Sequence, residues 1–130
     1  MGRHELAKQS PVGRLKRRAD FLRVAAARRK WAAPSLILQV SPQPEAPADT
    51  MFEPVRLGFT ASRKVGNAVV RNRARRRLKA VATELVPSHA KPGLDLVLIA
   101  RPATAECPFE TLRRDLLQGL ARTRAAREAS

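Results

Sequence analysis

The segment Ser62–Lys79, SRKVGNAVVRNRARRRLK, holds the two facts from which the fold can be reasoned. Val70, Ala74, Leu78, Val81 and Leu85 recur at helical steps of four and three, so the spacing predicts a helix with one core-facing stripe. Between Glu53 and Glu84 there are nine Lys or Arg and no acid. On the same helix Arg71, Arg75 and Lys79 stack one turn apart with Asn72 and Arg76 beside them, pointing away from the stripe. Arg73 and Arg77 fall at its other border, where long stems can lie along apolar surface. Like charges at this spacing repel by roughly a few tenths of a kcal/mol per pair. An ordinary solvated face usually relieves such repulsion with acids one turn away; here they are missing, and a polyanionic partner is the alternative.

Upstream, VRLGFTAS alternates Val55, Leu57, Phe59 and Ala61 with Arg56, Gly58, Thr60 and Ser62, a strand that runs straight into Arg63-Lys64 and the turn at Gly66-Asn67. SLILQV (residues 35–40) predicts another strand, with Leu36, Leu38 and Val40 on one face and Ile37 and Gln39 on the other. Between them, residues 41–54 hold four prolines and three acids and read as a solvated loop. Near the N-terminus, RLKRRADFLRVAAARRKW carries a second basic cluster. Asp20, Phe21, Val24, Ala25 and Arg28 follow helical spacing there, and Trp31 is expected to pack at the helix exit.

Downstream, Pro87, Pro92 and Gly93 mark a connection, and DLVLIA (residues 95–100) is a continuous apolar run suited to a strand covered on both faces. Pro108 precedes Phe109, Leu112, Leu116 and Leu120, a last helix laid on the sheet. The expected order is helix, strand, strand, helix, strand, helix, a small α+β domain over residues 14–122. Residues 1–13 read as a flexible basic N-terminus and residues 123–130 as a polar tail.

The 130-residue chain carries a formal net charge of +15, which points to nucleic acid or an anionic surface. No apolar run approaches the ~20 residues that span a bilayer, and the basic helix lacks interfacial aromatics, so no membrane partner is expected. Nothing at the N-terminus resembles a signal peptide, and a cytoplasmic location is expected. Cys107 is the single cysteine, which excludes an internal disulfide and a multi-cysteine zinc site. His4 and His89 are expected to be exposed loop residues. The acids are scattered, and neither a phosphate loop nor a GxGxxG is present. RLGFTA resembles the core of an RNA-recognition motif only faintly, and four Phe with one Trp cannot form a broad stacking platform. Charge must carry the binding, and Arg-rich faces suit structured RNA. Asn72 could hold a loop backbone, read a base edge or cap a turn.

With these residues in view, the segment resembles the signature of the bacterial ribonuclease P protein subunit: Arg63-Lys64, Gly66-Asn67, Arg71-Asn72-Arg73, then the basic pair Arg75-Arg76. RLKRRADFLRV, VRLGFTAS and DLVLIARP are similar to the family's first helix, strand and last strand. The resemblance implies a mixed sheet with a left-handed β-α-β crossover, a fold class shared with a domain of a small-subunit ribosomal protein. It implies a one-to-one complex with a catalytic RNA that removes the 5′ leader of precursor tRNA by phosphodiester hydrolysis. Magnesium would be held mainly by that RNA, with none bound by the protein alone and no catalytic residue in the protein. RNA contacts would fall to Arg63, Lys64, Asn67, Arg71, Asn72, Arg73, Arg75, Arg76 and Lys79. A leader cleft would include Arg14, Lys16, Phe21, Ile37, Gln39 and Thr60. Two departures stand out: Ala25 and Gln39 occupy positions where the family often has aromatics, and Arg28 replaces a glycine after the first helix. The other readings are a ribosomal or ribosome-assembly protein using the same helix, and a nonspecific DNA binder.

Overall fold

A computed structural model describes residues 12–44 and 54–127; His4, the proline-rich stretch 45–53 and the last three residues lie outside this range. Ten elements follow in order. They are β1 (Val12–Arg14), α1 (Arg18–Ala26), β2 (Arg29–Ala32), β3 (Leu36–Pro42), β4 (Val55–Thr60), a 3-10 turn (Arg63–Val65), α2 (Ala68–His89), β5 (Leu94–Ala100), a second 3-10 turn (Pro102–Ala105) and α3 (Phe109–Arg122). The five strands form one mixed sheet in the order β1-β4-β5-β3-β2. β4 runs parallel to both β1 and β5, whereas β3 is antiparallel to both β5 and β2.

β5 lies at the centre because its sequence tolerates burial on both faces. Leu96 and Leu98 are fully buried on one side, level with Leu57 of β4 and with Val40 and Leu38 of β3. That side receives α2 and α3 through Ala74, Leu78, Val81, Leu85, Leu112, Leu116 and Leu120. Burying each Leu is worth about 1.5–3 kcal/mol, so this layer holds most of the driving force. The other side is thinner: Val97 packs with Leu15 and Val24, and Phe21 and Ile99 close the edge of this small cluster. α1 therefore covers one face of the sheet and α2 with α3 the opposite face.

A polar clamp fixes α1. Asp95, fully buried, receives two bonds from Arg56, Nε to Oδ1 at 2.8 Å and Nη2 to Oδ2 at 2.7 Å, and a third from Arg23 of α1. Arg23 also reaches Asp20 one turn back and Ser41 Oγ at 3.1 Å. The sequence placed Arg23 in a basic cluster; in the fold it belongs to this clamp.

Several expectations are refined. The strand pairs involving β1 and β2 are additional to the predicted order, and Ser41 and Pro42 extend β3. α2 passes through Pro87 and ends at His89, so neither residue lies in a loop, although His89 is exposed. Proline there removes only the bond to the carbonyl of Thr83, an exposed residue whose oxygen water can reach. Beyond α3, Thr123 and Ala125 are buried, and Ala126 bridges to Ala90, so the chain stays packed past residue 122. Arg113 ties α3 to α2 through Glu84, whose carboxyl it holds below the usual range by hydrogen bonding; the pair is exposed and adds little.

Candidate nucleic-acid interface

The interface begins at the turn before α2. Gly66 has φ +151°, and a Cβ built there would lie 2.9 Å from Val70. Asn67 then caps the helix, its Oδ1 accepting from the Val70 N–H at 3.0 Å. Gly66→Ala is expected to cost about 1–3 kcal/mol from backbone strain alone, read as a lowered melting temperature. An unchanged melting temperature would count against this geometry. Val65 is buried in the large core, which anchors the turn and leaves Arg63 and Lys64 exposed on it.

On α2, Ala74, Leu78, Val81 and Leu85 are buried as the stripe predicts, with Ala82 and Val86 added. Arg71, Asn72, Arg75, Arg76 and Lys79 remain on the opposite side, half-buried or exposed. Asn72 neither caps nor turns the chain: its Oδ1 accepts from Nη2 of Arg75 and steadies that guanidinium. Arg71 Nε is buried without a hydrogen-bond partner. Arg77 is the border residue that turns inward, donating to the Thr104 carbonyl at 2.7 Å and to the Cys107 carbonyl. Arg73 points to the same flank, 4.0 Å from Glu106, with both side chains largely exposed. Among the described residues that loose contact is the one ion pair made by Arg63, Lys64 or the α2 cations.

The predicted cleft residues divide into two groups. Arg14 and Phe21 line a pocket of about 300 Å³ together with Leu15, Leu57, Gly58 and Phe59. Three cations of α2, Arg75, Arg76 and Lys79, line the same pocket. Gly58 makes this possible, because a Cβ there would stand 2.5 Å from the Phe21 ring. The pocket opens beside β4 where β1 stops: β1 pairs only as far as Leu57, and among the described residues no strand lies beside the outer edge of Gly58–Thr60. Lys16 is exposed just beyond β1 and outside the pocket lining.

Thr60, Ile99 and Ile37 form one transverse row across β4, β5 and β3, and Gln39 lies in the next row beside Val97. All four named row residues on the α1 side, Thr60, Ile99, Ile37 and Gln39, are half-buried, because α1 clamps down over the Asp95 end and leaves this strip uncovered. The sheet face and the basic helix are thus joined around the edge of β4, which spacing along the chain could not show. Among the described residues, no group of three or more His, Cys, Asp or Glu is placed to hold a metal ion, and no helix is long and apolar enough to cross a membrane.

A family model described as Ribonuclease P matches residues 10–124. The chain belongs to the ribonuclease P protein family. Ribonuclease P protein component of Paramagnetospirillum magneticum is 54% identical over 114 residues, covering 88% of this chain and 84% of that one. The component from Ruegeria pomeroyi is 44% identical over 117 residues, covering 89% and 90%. Among solved structures, the RNase P protein of Staphylococcus aureus superposes with a TM-score of 0.68 at 24% identity, covering 88% of this chain and 97% of that one. That of Thermotoga maritima gives 0.67 at 23%, covering 89% and 98%. At these identities the structures establish the shared fold. Membership places the chain in ribonuclease P and in tRNA processing.

Proposed function

We infer that the chain is the RNA-binding subunit of a ribonucleoprotein endonuclease that removes the 5′ leader from precursor tRNA. The outer face of α2, with Arg63 and Lys64 before it, docks on the catalytic RNA through phosphates. The strip from Phe21 and Arg14 across Thr60, Ile37 and Gln39 takes the single-stranded leader. The observation that carries this reading is the shared pocket, which sets the Phe21 ring and Arg14 beside Arg75, Arg76 and Lys79, so that a leader passing over Phe21 runs along the border of the RNA-docking face. Stacking on an aromatic and neutralisation by arginines are the two terms that hold single strands without reading sequence. With Ala25 and Gln39 in place of aromatics, charge supplies more of the leader affinity than stacking does.

Hydrolysis belongs to the RNA and its magnesium ions. The protein's part is electrostatic: cations along the leader lower the repulsion between substrate and catalytic RNA, so less magnesium is needed to bring them together. Adding this protein, one copy per RNA, to a bacterial ribonuclease P RNA should raise cleavage of precursor tRNA at low magnesium. No binding and no change in cleavage would reject the reading.

Phe21→Ala should lower affinity for leader-bearing precursor by about 1–3 kcal/mol and leave mature tRNA unaffected. Phe21→Leu retains packing on Leu15 and Val97 while removing the ring face. Equal losses for both RNAs in both variants would make Phe21 a core residue alone.

A further inference from the structure

A second cationic hollow lies at the other edge of the sheet. It has a volume of about 530 Å³ and is lined by Arg28, Arg29, Lys30, Lys91, Arg122 and Arg124 around Thr123. Three distant segments build it: the start of β2, the turn after α2 and the end of α3. Among the described residues none of these six cations has a carboxylate within ion-pairing distance, and Arg28, Lys30, Lys91 and Arg124 have side chains with no hydrogen bond.

The end of α3 explains part of the cluster and not the rest. A helix C-terminus carries about half a negative charge and is satisfied by a cation or two. Arg29 fills that role, donating to the carbonyls of Thr123 and Arg124, the latter at 3.0 Å. Arg122 lies over the Trp31 ring, 5.2 Å from its centroid. Four further cations remain. Moreover, the two non-glycine residues with positive φ among the described residues are Arg28 at 57° and Arg124 at 62°, both in this hollow. Glycine or asparagine would occupy those positions at lower cost. Each follows a helix C-cap, where a left-handed residue ends the helix and glycine is the usual choice, so the turn itself does not call for an arginine at either position.

We propose that this hollow is a phosphate-backbone site for a second segment of structured RNA, so that the chain bridges two RNA segments. The inference rests on the reading that its partner is RNA, and adds a contact to it. β2 and β4 are three strand spacings apart, roughly 14 Å, beyond a Debye length of about 8 Å at physiological salt, so the two sites act as separate electrostatic contacts. A hollow lined by arginines and lysines suits phosphate oxygens rather than a folded protein surface.

The test measures binding to an in-vitro-transcribed bacterial ribonuclease P RNA across a salt series. The variant Arg28→Gly/Lys30→Ala/Lys91→Ala/Arg124→Gly leaves Arg29 in place and relaxes both strained positions. It should lower the slope of log K against log salt by about 3, at roughly 0.7–0.9 per phosphate contact. Arg28→Gly/Arg124→Gly, which should melt no lower than the parent, should lose about half of that. Wild-type affinity and slope in both variants would overturn the proposal. So would a polyglutamate peptide that binds the hollow more tightly than the RNA does. Arg71→Ala/Arg75→Ala in the same titration separates the readings: a loss there with none at the hollow removes the bridge alone, and a loss at neither removes both.

Discussion

Asp95→Ala is expected to destabilise the protein by about 3–5 kcal/mol, the usual cost of removing one member of a buried ion network. The carboxylate is fully buried and is shared by Arg56 of β4 and Arg23 of α1, so its loss leaves two partly desolvated guanidiniums beside each other between the helix and the sheet. Asp20, hydrogen-bonded to Arg23 at 3.3 Å and 4.0 Å from Arg56, compensates in part, which sets the lower end of that range. α1 should loosen first, because Arg23 is its polar tie to the sheet and Val24 its one fully buried side chain. Chemical denaturation reads the loss. Asp95→Asn, which keeps the shape and two hydrogen-bonding groups but not the charge, should retain part of the stability. A loss below about 1 kcal/mol in Asp95→Ala would show that the clamp is dispensable.

Arg71→Ala/Arg75→Ala should weaken binding to a ribonuclease P RNA by roughly 3 kcal/mol, more than a hundredfold, since hydrogen bonds to charged groups are worth about 1.5–3 kcal/mol each. The slope of log K against log salt should fall by about 1.5–2. Neither residue packs into the core, so the melting temperature should hold, unlike the case of Arg77, whose guanidinium caps two carbonyls. Asn72→Ala should reproduce a part of the loss by freeing Arg75. An unchanged slope in the double variant would mean that this face is solvated and idle.

α2 could be read from the sequence because two independent signals, an apolar stripe and an uninterrupted set of cations, coincide in one segment. β3, β4 and α3 were equally readable from their periods, and β5 from its unbroken apolar run. β1 and β2 were not. VGR and RKWA are three and four residues long, and they are strands only because β4 and β3 offer edges to pair with. Asp95 looked like one more scattered acid, although a lone charge at the head of an apolar run could have signalled a buried partner. Arg14 and Phe21 were placed together by the family resemblance alone, and their sharing a pocket with Arg75, Arg76 and Lys79 depends on where β1 ends. Arg28 was noticeable in the sequence only as a substitute for glycine; its positive φ and its neighbours Lys91 and Arg124 come from the tertiary fold.

The central place of β5 also shapes how the molecule can be made. Residues 94–100 join the β1-β4 pair to the β3-β2 hairpin, and they fall within the last third of the described chain to leave a ribosome. Until they emerge, the two halves of the sheet share no strand, and each presents an open inner edge and a bare layer of Leu and Val. Completion of the domain is therefore a late, all-or-none event dominated by contacts distant in sequence, a class of folding that is slow and exposed to aggregation. A nascent chain halted before residue 94 carries the basic helix without the sheet that shapes it.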